Sequence, residues 1–232
     1  MGVDNYMGEQ LQGFFWRGNI ENYYLGHQMA EIYKDKLYHP YFPNDRGGSV
    51  CLEIGAHIGI ATYLFSHHFD KVYAIEPSLE HFDLLQMMVR SNDLKNVTPI
   101  KAAVWIENKQ MPFFHNKNKT MFSLHMAVND GSSKEEMVDG MTFDKIFNDY
   151  KIDHVNLMKL DVEGSEVELL SSTGFKQVSE KIDTIVLEVH AWNNRHPNQV
   201  EEALRNSGFT YIRLIPNDAS IIVAMRKEPS IL

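Results

Sequence analysis

Several side chains able to do acid–base chemistry sit at the ends of apolar runs in this chain. Glu53 lies near the end of V-C-L-E-I, Glu76 follows V-Y-A-I, Asp161 follows N-L-M-K-L, and Glu188 and His190 fall in V-L-E-V-H. An acid at the end of a buried strand costs free energy unless it is paired or bound. In an extended strand, Glu188 and His190 share one face. An acid–histidine group suits proton removal from an alcohol. The same group could hold a divalent cation through oxygen ligands and one imidazole. No ligand-spacing motif stands behind a metal, so a metal is not favoured. Asp161, Glu163, Glu188 and His190 are therefore the candidate catalytic residues.

A glycine turn, Gly55-Ala56-His57-Ile58-Gly59, follows the first run. It lacks the middle glycine of G-x-G-x-x-G. Its glycines would let backbone approach a ligand, and Glu76, about twenty residues beyond Glu53, is placed to accept hydrogen bonds from ribose hydroxyls. Pro77 fixes the chain as it leaves that run. Glu53 either reaches the ligand or braces the turn. A nucleoside carrying no phosphate is the ligand implied, and S-adenosylmethionine fits best. Glu163 and Glu166 fall near a helix start, where the helix dipole favours negative charge.

Alternating strand and helix patterns must position these groups, which implies a parallel sheet. Strands are expected at Val50–Ile54, Val72–Ile75, Val97–Val104, Val155–Leu160 and Thr184–Val189. Helices are expected at Ile58–His67, Leu79–Arg90, Glu163–Leu170 and Asn198–Asn206, with Phe82, Leu85, Met88 and Val89 on one face of the second. Phe209–Leu214 and Ser220–Met225, split by Pro216-Asn217-Asp218, read as a terminal hairpin with one antiparallel strand. Glu107 to Gly140 reads as a long polar loop. Residues 1–48 form a separate aromatic-rich segment containing Phe14, Phe15, Trp16, Tyr23, Tyr24, Tyr33 and Tyr38. Its Leu25, Met29, Ile32 and Tyr33 recur at helical spacing, and it is read as a helical cap or lid on the domain 49–232.

The chain has 232 residues, 44% of them hydrophobic, enough for one α/β domain with a substantial core. A net charge of −9 argues against a nucleic-acid or anionic-membrane surface. The single cysteine, Cys51, excludes an internal disulfide and reads as a small core residue in a reducing, cytoplasmic setting. No signal peptide or membrane-spanning run is visible. His67 and His68 are expected to be solvated at a helix end. Zinc-protease, phosphate-loop and nucleophile-elbow motifs are missing.

The motifs L-E-I-G-A-H-I-G, A-I-E-P-S, M-K-L-D-V-E-G-S-E and L-E-V-H resemble the FkbM-type family of S-adenosylmethionine-dependent methyltransferases, from about Val50 to His190. K-x-D-x-E-G-x-E is the most specific of them. The resemblance implies a class I, Rossmann-like, seven-stranded mostly parallel sheet with helices on both faces and a C-terminal antiparallel hairpin. It implies O-methylation of a hydroxyl on a sugar, polyketide or related small molecule. By it, Gly55 and Gly59 approach the methionine part of the cofactor, Glu76 holds the ribose, and Ala102 and Ala103 border the adenine; Glu53, Ala56, His57, Pro77 and Asp161 complete the expected cofactor-binding set. Ser123, in M-F-S-L, looks like the family's loop serine. The family usually carries Asp and Asn where this chain has Glu53 and His57. Two rival readings are a methyltransferase fold without chemistry, serving as a scaffold, and a nicotinamide oxidoreductase. The terminal hairpin, the missing middle glycine and the absence of any tyrosine followed four residues later by lysine oppose the second.

Overall fold

The structure is a computed structural model, and it describes residues 37–115, 122–123, 134–190, 197–215 and 218–228. The chain runs β1 (Val50–Ile54), α1 (Ile60–His68), β2 (Lys71–Ile75), α2 (Leu79–Ser91), β3 (Val97–Ile100), β4 (Ala103–Val104), β5 (Gln110–His115), β6 (Phe122–Ser123) and β7 (Lys134–Met141). It continues through α3 (Phe143–Asp149), β8 (Val155–Leu160), α4 (Glu166–Ser171), α5 (Thr173–Val178), β9 (Ile182–Glu188), α6 (Pro197–Asn206), β10 (Tyr211–Ile215) and β11 (Asp218–Met225). Seven strands form the main sheet in the order β10-β11-β9-β8-β1-β2-β3. Strands β3, β2, β1, β8 and β9 pair in parallel, and β11 runs antiparallel to both β9 and β10. This is the expected class I layout.

Helices cover both faces, so the central strands are buried throughout. That is why β1, β2 and β8 read as continuous apolar runs and not as alternating ones. One core gathers Leu52, Ile54, Met158 and Leu160 with Phe143 and Phe175. The other gathers Cys51, Val72 and Leu157 with Phe65, Leu85 and Met88. Cys51 is a buried free thiol in that second core. Helix α2 buries Phe82, Leu85, Met88 and Val89, the predicted face, and the Ser78 hydroxyl caps its start.

Four expectations need correction. The single strand Val97–Val104 is two strands. β3 ends at Ile100, and β4 leaves the main sheet to pair with β7. The polar loop Glu107–Gly140 holds β5 and β7, paired antiparallel, and with β4 and β6 they make a second sheet of four strands. Strand β7 escaped notice because Glu135, Met137 and Asp139 face solvent while Val138 alone carries the buried apolar side. Helix α4 starts at Glu166, later than expected, because Glu163 and Gly164 both have left-handed backbone (φ 53° and 100°). His68 is only partly solvated, because its ring stacks on Phe42 at 4.0 Å, while His67 is exposed as expected. Helix α3 was overlooked although Phe143, Ile146 and Phe147 carry the i, i+3, i+4 spacing and are buried.

Of the aromatic segment, residues 1–36 lie outside the described residues, as do Pro216 and Asn217. Residues 37–48 pack on the sheet domain. Tyr38 is buried edge-on against Phe65, with ring centroids 5.0 Å apart. No helix among the described residues is long and apolar enough to cross a membrane.

Candidate active site

The carboxyl ends of β1, β2, β8 and β9 meet at one edge of the sheet. There the chain leaves β1 in a tight turn, and the amides of Gly55 and Ala56 both donate to the Ile75 carbonyl (3.0 and 2.9 Å). Gly55 has φ 79°, and a Cβ at this position would overlap the Asp161 carbonyl oxygen. Only glycine lets β1 and β8 finish side by side here. Gly59 is required for another contact: its Cβ would strike Leu85 and Met88 of α2. Gly59 therefore faces the helix packing.

Glu76 is buried where β2 ends. One carboxylate oxygen accepts the His57 amide (2.8 Å) and the other the Ser78 amide (2.9 Å). The His57 contact anchors a residue held at φ 52°. The His57 ring packs edge-on against His81, with centroids 4.0 Å apart. Burial, then the nearby His81 and Lys159 charges, push the His57 pKa well below its ordinary value, so the ring is neutral.

Two cavities flank this turn. The first, about 720 Å³, is lined by Glu76, Pro77, Ala102, Ala103, Phe113 and Glu163 among others. The second, about 580 Å³, is lined by Tyr38, Glu53, Ala56, Lys159 and Glu188 among others. Gly55, His57 and Asp161 belong to both walls. Ser123 lies in β6 of the second sheet.

Glu53 and Lys159 are paired positions on β1 and β8. Glu53 is fully buried and accepts the Thr62 hydroxyl (2.6 Å). Burial pushes its carboxyl up to about 7, against the pull of Lys159 and Thr62. Lys159 donates to the Gly55 carbonyl (2.8 Å) and approaches Asp161 (3.3 Å). Burial works against its charge, but Asp161, Tyr38 and Glu53 raise its pKa above the ordinary lysine value, so it stays cationic. The sequence reading gave Lys159 no role. The signal was present, because a lysine inside an otherwise apolar strand needs a partner, and Asp161 two residues on shares its face.

The third group surrounds His190. Its Nδ1 donates to Glu166 Oε1 (2.9 Å), and its Nε2 lies 3.4 Å from Glu163 and 3.7 Å from Glu188. Glu166 is buried and also accepts the Gly164 amide (3.0 Å). It is thus the buried carboxylate that orients His190, a role that reading it as a helix-start charge missed. Burial disfavours the imidazolium, but the Glu166 hydrogen bond and the Glu163 and Asp161 charges outweigh it and raise His190 to about 9. Burial raises Glu163 to about 7, against the pull of His190. Asp161, Glu163 and His190 each offer a ligand atom within 4.8 Å of the others, a geometry that could hold a cation. Asp161, Glu163, Glu188 and His190 therefore converge as the strand ends implied.

The Methyltransferase FkbM domain matches residues 53–211, well over half of the chain. The protein belongs to the FkbM methyltransferase family. Among solved structures, methyltransferase FkbM from Methylobacillus flagellatus KT is similar, with a TM-score of 0.50 at 17% identity. That likeness covers 76% of this chain and 43% of the other, so the chain spans less than half the length of that relative. Precorrin-6y C5,15-methyltransferase from Geobacter metallireducens GS-15 also has a TM-score of 0.50, at 12% identity over 85% of this chain and 88% of its own. At these identities the likenesses concern the fold. No curated protein matches the chain.

Proposed function

We propose that this FkbM-family protein is an S-adenosylmethionine-dependent O-methyltransferase acting on a hydroxyl of a small molecule or sugar. The observation that carries the reading is the wall shared by the two cavities. It places Glu76 on one side and, through Asp161, the His190 cluster beside it.

The residues fit the cofactor. Each Glu76 oxygen accepts one backbone amide, which leaves a lone pair on each for a ribose hydroxyl. Ala102, Ala103 and Phe113 give the same cavity an apolar wall for a base. Glu53 in the second cavity keeps a buried oxygen without a hydrogen-bond partner. When bound, the cofactor supplies a methyl group already activated on a sulfonium.

The remaining work falls to orientation and proton transfer. Holding the acceptor oxygen in line is the larger contribution, because a positioned group reacts as if highly concentrated. Glu163 is the proton acceptor best matched to neutral pH, since a general base works best with a pKa near the operating pH. His190, held as imidazolium by Glu166, steadies the carboxylate that Glu163 must present. Asp161 touches both cavities and pairs with the Lys159 ammonium, which lines the second.

Calorimetric titration with S-adenosylhomocysteine tests the cofactor half. Glu76→Ala is expected to weaken binding at least tenfold, and unchanged affinity would refute the ribose role. Release of S-adenosylhomocysteine across a panel of hydroxylated sugars and small acids tests the rest, with Asp161→Ala expected to abolish turnover. A thermal shift with a nicotinamide cofactor and none with S-adenosylhomocysteine would overturn the proposal.

A further inference from the structure

Glu188 is the acid of the converging group that proton transfer does not use. It is the last residue of β9, its side chain is 36% exposed, and it lines the second cavity. His190 Nε2 faces both Glu163 (3.4 Å) and Glu188 (3.7 Å), so a single N–H answers two carboxylates. The other cation of this edge, Lys159, is held by the Gly55 carbonyl and Asp161. Negative charge is left in excess, and Glu163 registers it. Burial raises its carboxyl to about 7 against the pull of His190, and the Asp161, Glu188 and Glu166 charges add to the rise. A separate observation points the same way. Glu53 Oε1 in the second cavity is fully buried without a hydrogen-bond partner, and a buried acceptor of that kind calls for a donor. Tyr38, Ile60, Val186 and Ile221 give the same cavity an apolar side.

Excess negative charge beside a reacting hydroxyl repels an anionic ligand and draws a cationic one. We propose that the methyl acceptor is an amino alcohol or amino sugar, with Glu188 receiving its ammonium and Glu163 its neighbouring hydroxyl. The inference rests on the methyltransferase reading above and names the substrate class of that site. The two carboxylates flank one ring nitrogen, so groups on adjacent carbons of a small ligand reach both. An ammonium has no free lone pair, so the hydroxyl oxygen is the nucleophile. As the O–CH3 bond forms, the S–CH3 bond breaks with its electron pair left on sulfur, and the hydroxyl proton passes to Glu163. Glu188 is then a specificity residue, and its charge carries the selection.

Three sugars that differ in charge test this: glucosamine, glucose and glucuronate, each followed by release of S-adenosylhomocysteine. In the wild-type protein kcat/KM is expected to be roughly tenfold higher for glucosamine than for glucose, and lowest for glucuronate. Glu188→Gln should remove that preference, and Glu188→Lys should favour glucuronate over glucosamine. The ratio between acceptors is the readout, because a general loss of activity cancels from it. Mass spectrometry of the product should place the methyl on oxygen. Equal or faster turnover of glucose, a ratio unchanged in Glu188→Gln, or a methylated nitrogen overturns the proposal and leaves the cofactor reading standing. So does turnover of none of the three by protein that binds S-adenosylhomocysteine. Loss of all turnover in both variants overturns it too, because it marks a role in the chemistry itself. If the wild-type protein does not bind S-adenosylhomocysteine, the cofactor reading falls and takes the acceptor assignment with it.

Discussion

Replacing Glu166 by glutamine tests the His190 cluster without altering its shape. In the wild-type protein the Nδ1 proton of His190 meets a carboxylate at 2.9 Å, and the ring titrates at about 9. Glutamine keeps an acceptor oxygen in place but removes its charge. A hydrogen bond to a charged partner is worth roughly 1–1.5 kcal/mol more than one to a neutral partner. That difference corresponds to about one pKa unit, so His190 should titrate near roughly 8 in Glu166→Gln. The ring-proton resonances of His190, followed by NMR across pH, read this directly. A linked effect on stability follows. The His190 pKa is raised on folding, so its contribution is fully present below about pH 6.5 and is lost as pH rises through about 9. The raised pKa represents at most about 3 kcal/mol, and the variant should lose about 1 kcal/mol less than wild type across that window in urea unfolding. An unchanged or higher His190 midpoint in Glu166→Gln would refute the orienting role.

The other predictions are briefer. Gly55→Ala should destabilise the fold by more than about 3 kcal/mol, because it combines a left-handed backbone with a clash against the Asp161 carbonyl. Thermal unfolding should show a melting point lower by roughly 10 °C, and a loss under about 2 °C would mean that the turn can shift. Magnesium or manganese at millimolar concentration should leave the melting point unchanged near neutral pH, because His190 holds its proton there. A rise of several degrees that Asp161→Asn removes would instead assign the Asp161, Glu163 and His190 cluster to a metal.

Much of the fold was legible because its signals are local. Strands β1, β2 and β8 are buried on both faces and show as unbroken apolar runs, and helix α2 shows its buried face at helical spacing. The second sheet was hidden because β7 buries little beyond Val138, so its acid-rich sequence looks like loop. The late start of α4 was hidden because glutamate is a residue type that rarely adopts left-handed backbone, so nothing in the sequence marks Glu163 as non-helical.

For the site, sequence alone determined which side chains arrive at the sheet edge, since a strand's end and its alternation are properties of a few adjacent residues. Tertiary structure decided what those side chains do there. Lys159 meets the Gly55 carbonyl across 104 residues, and Glu166 meets His190 across 24. Contacts over such separations leave no periodic trace in the chain, yet the first ties the Lys159 ammonium to the glycine turn and the second raises the His190 pKa.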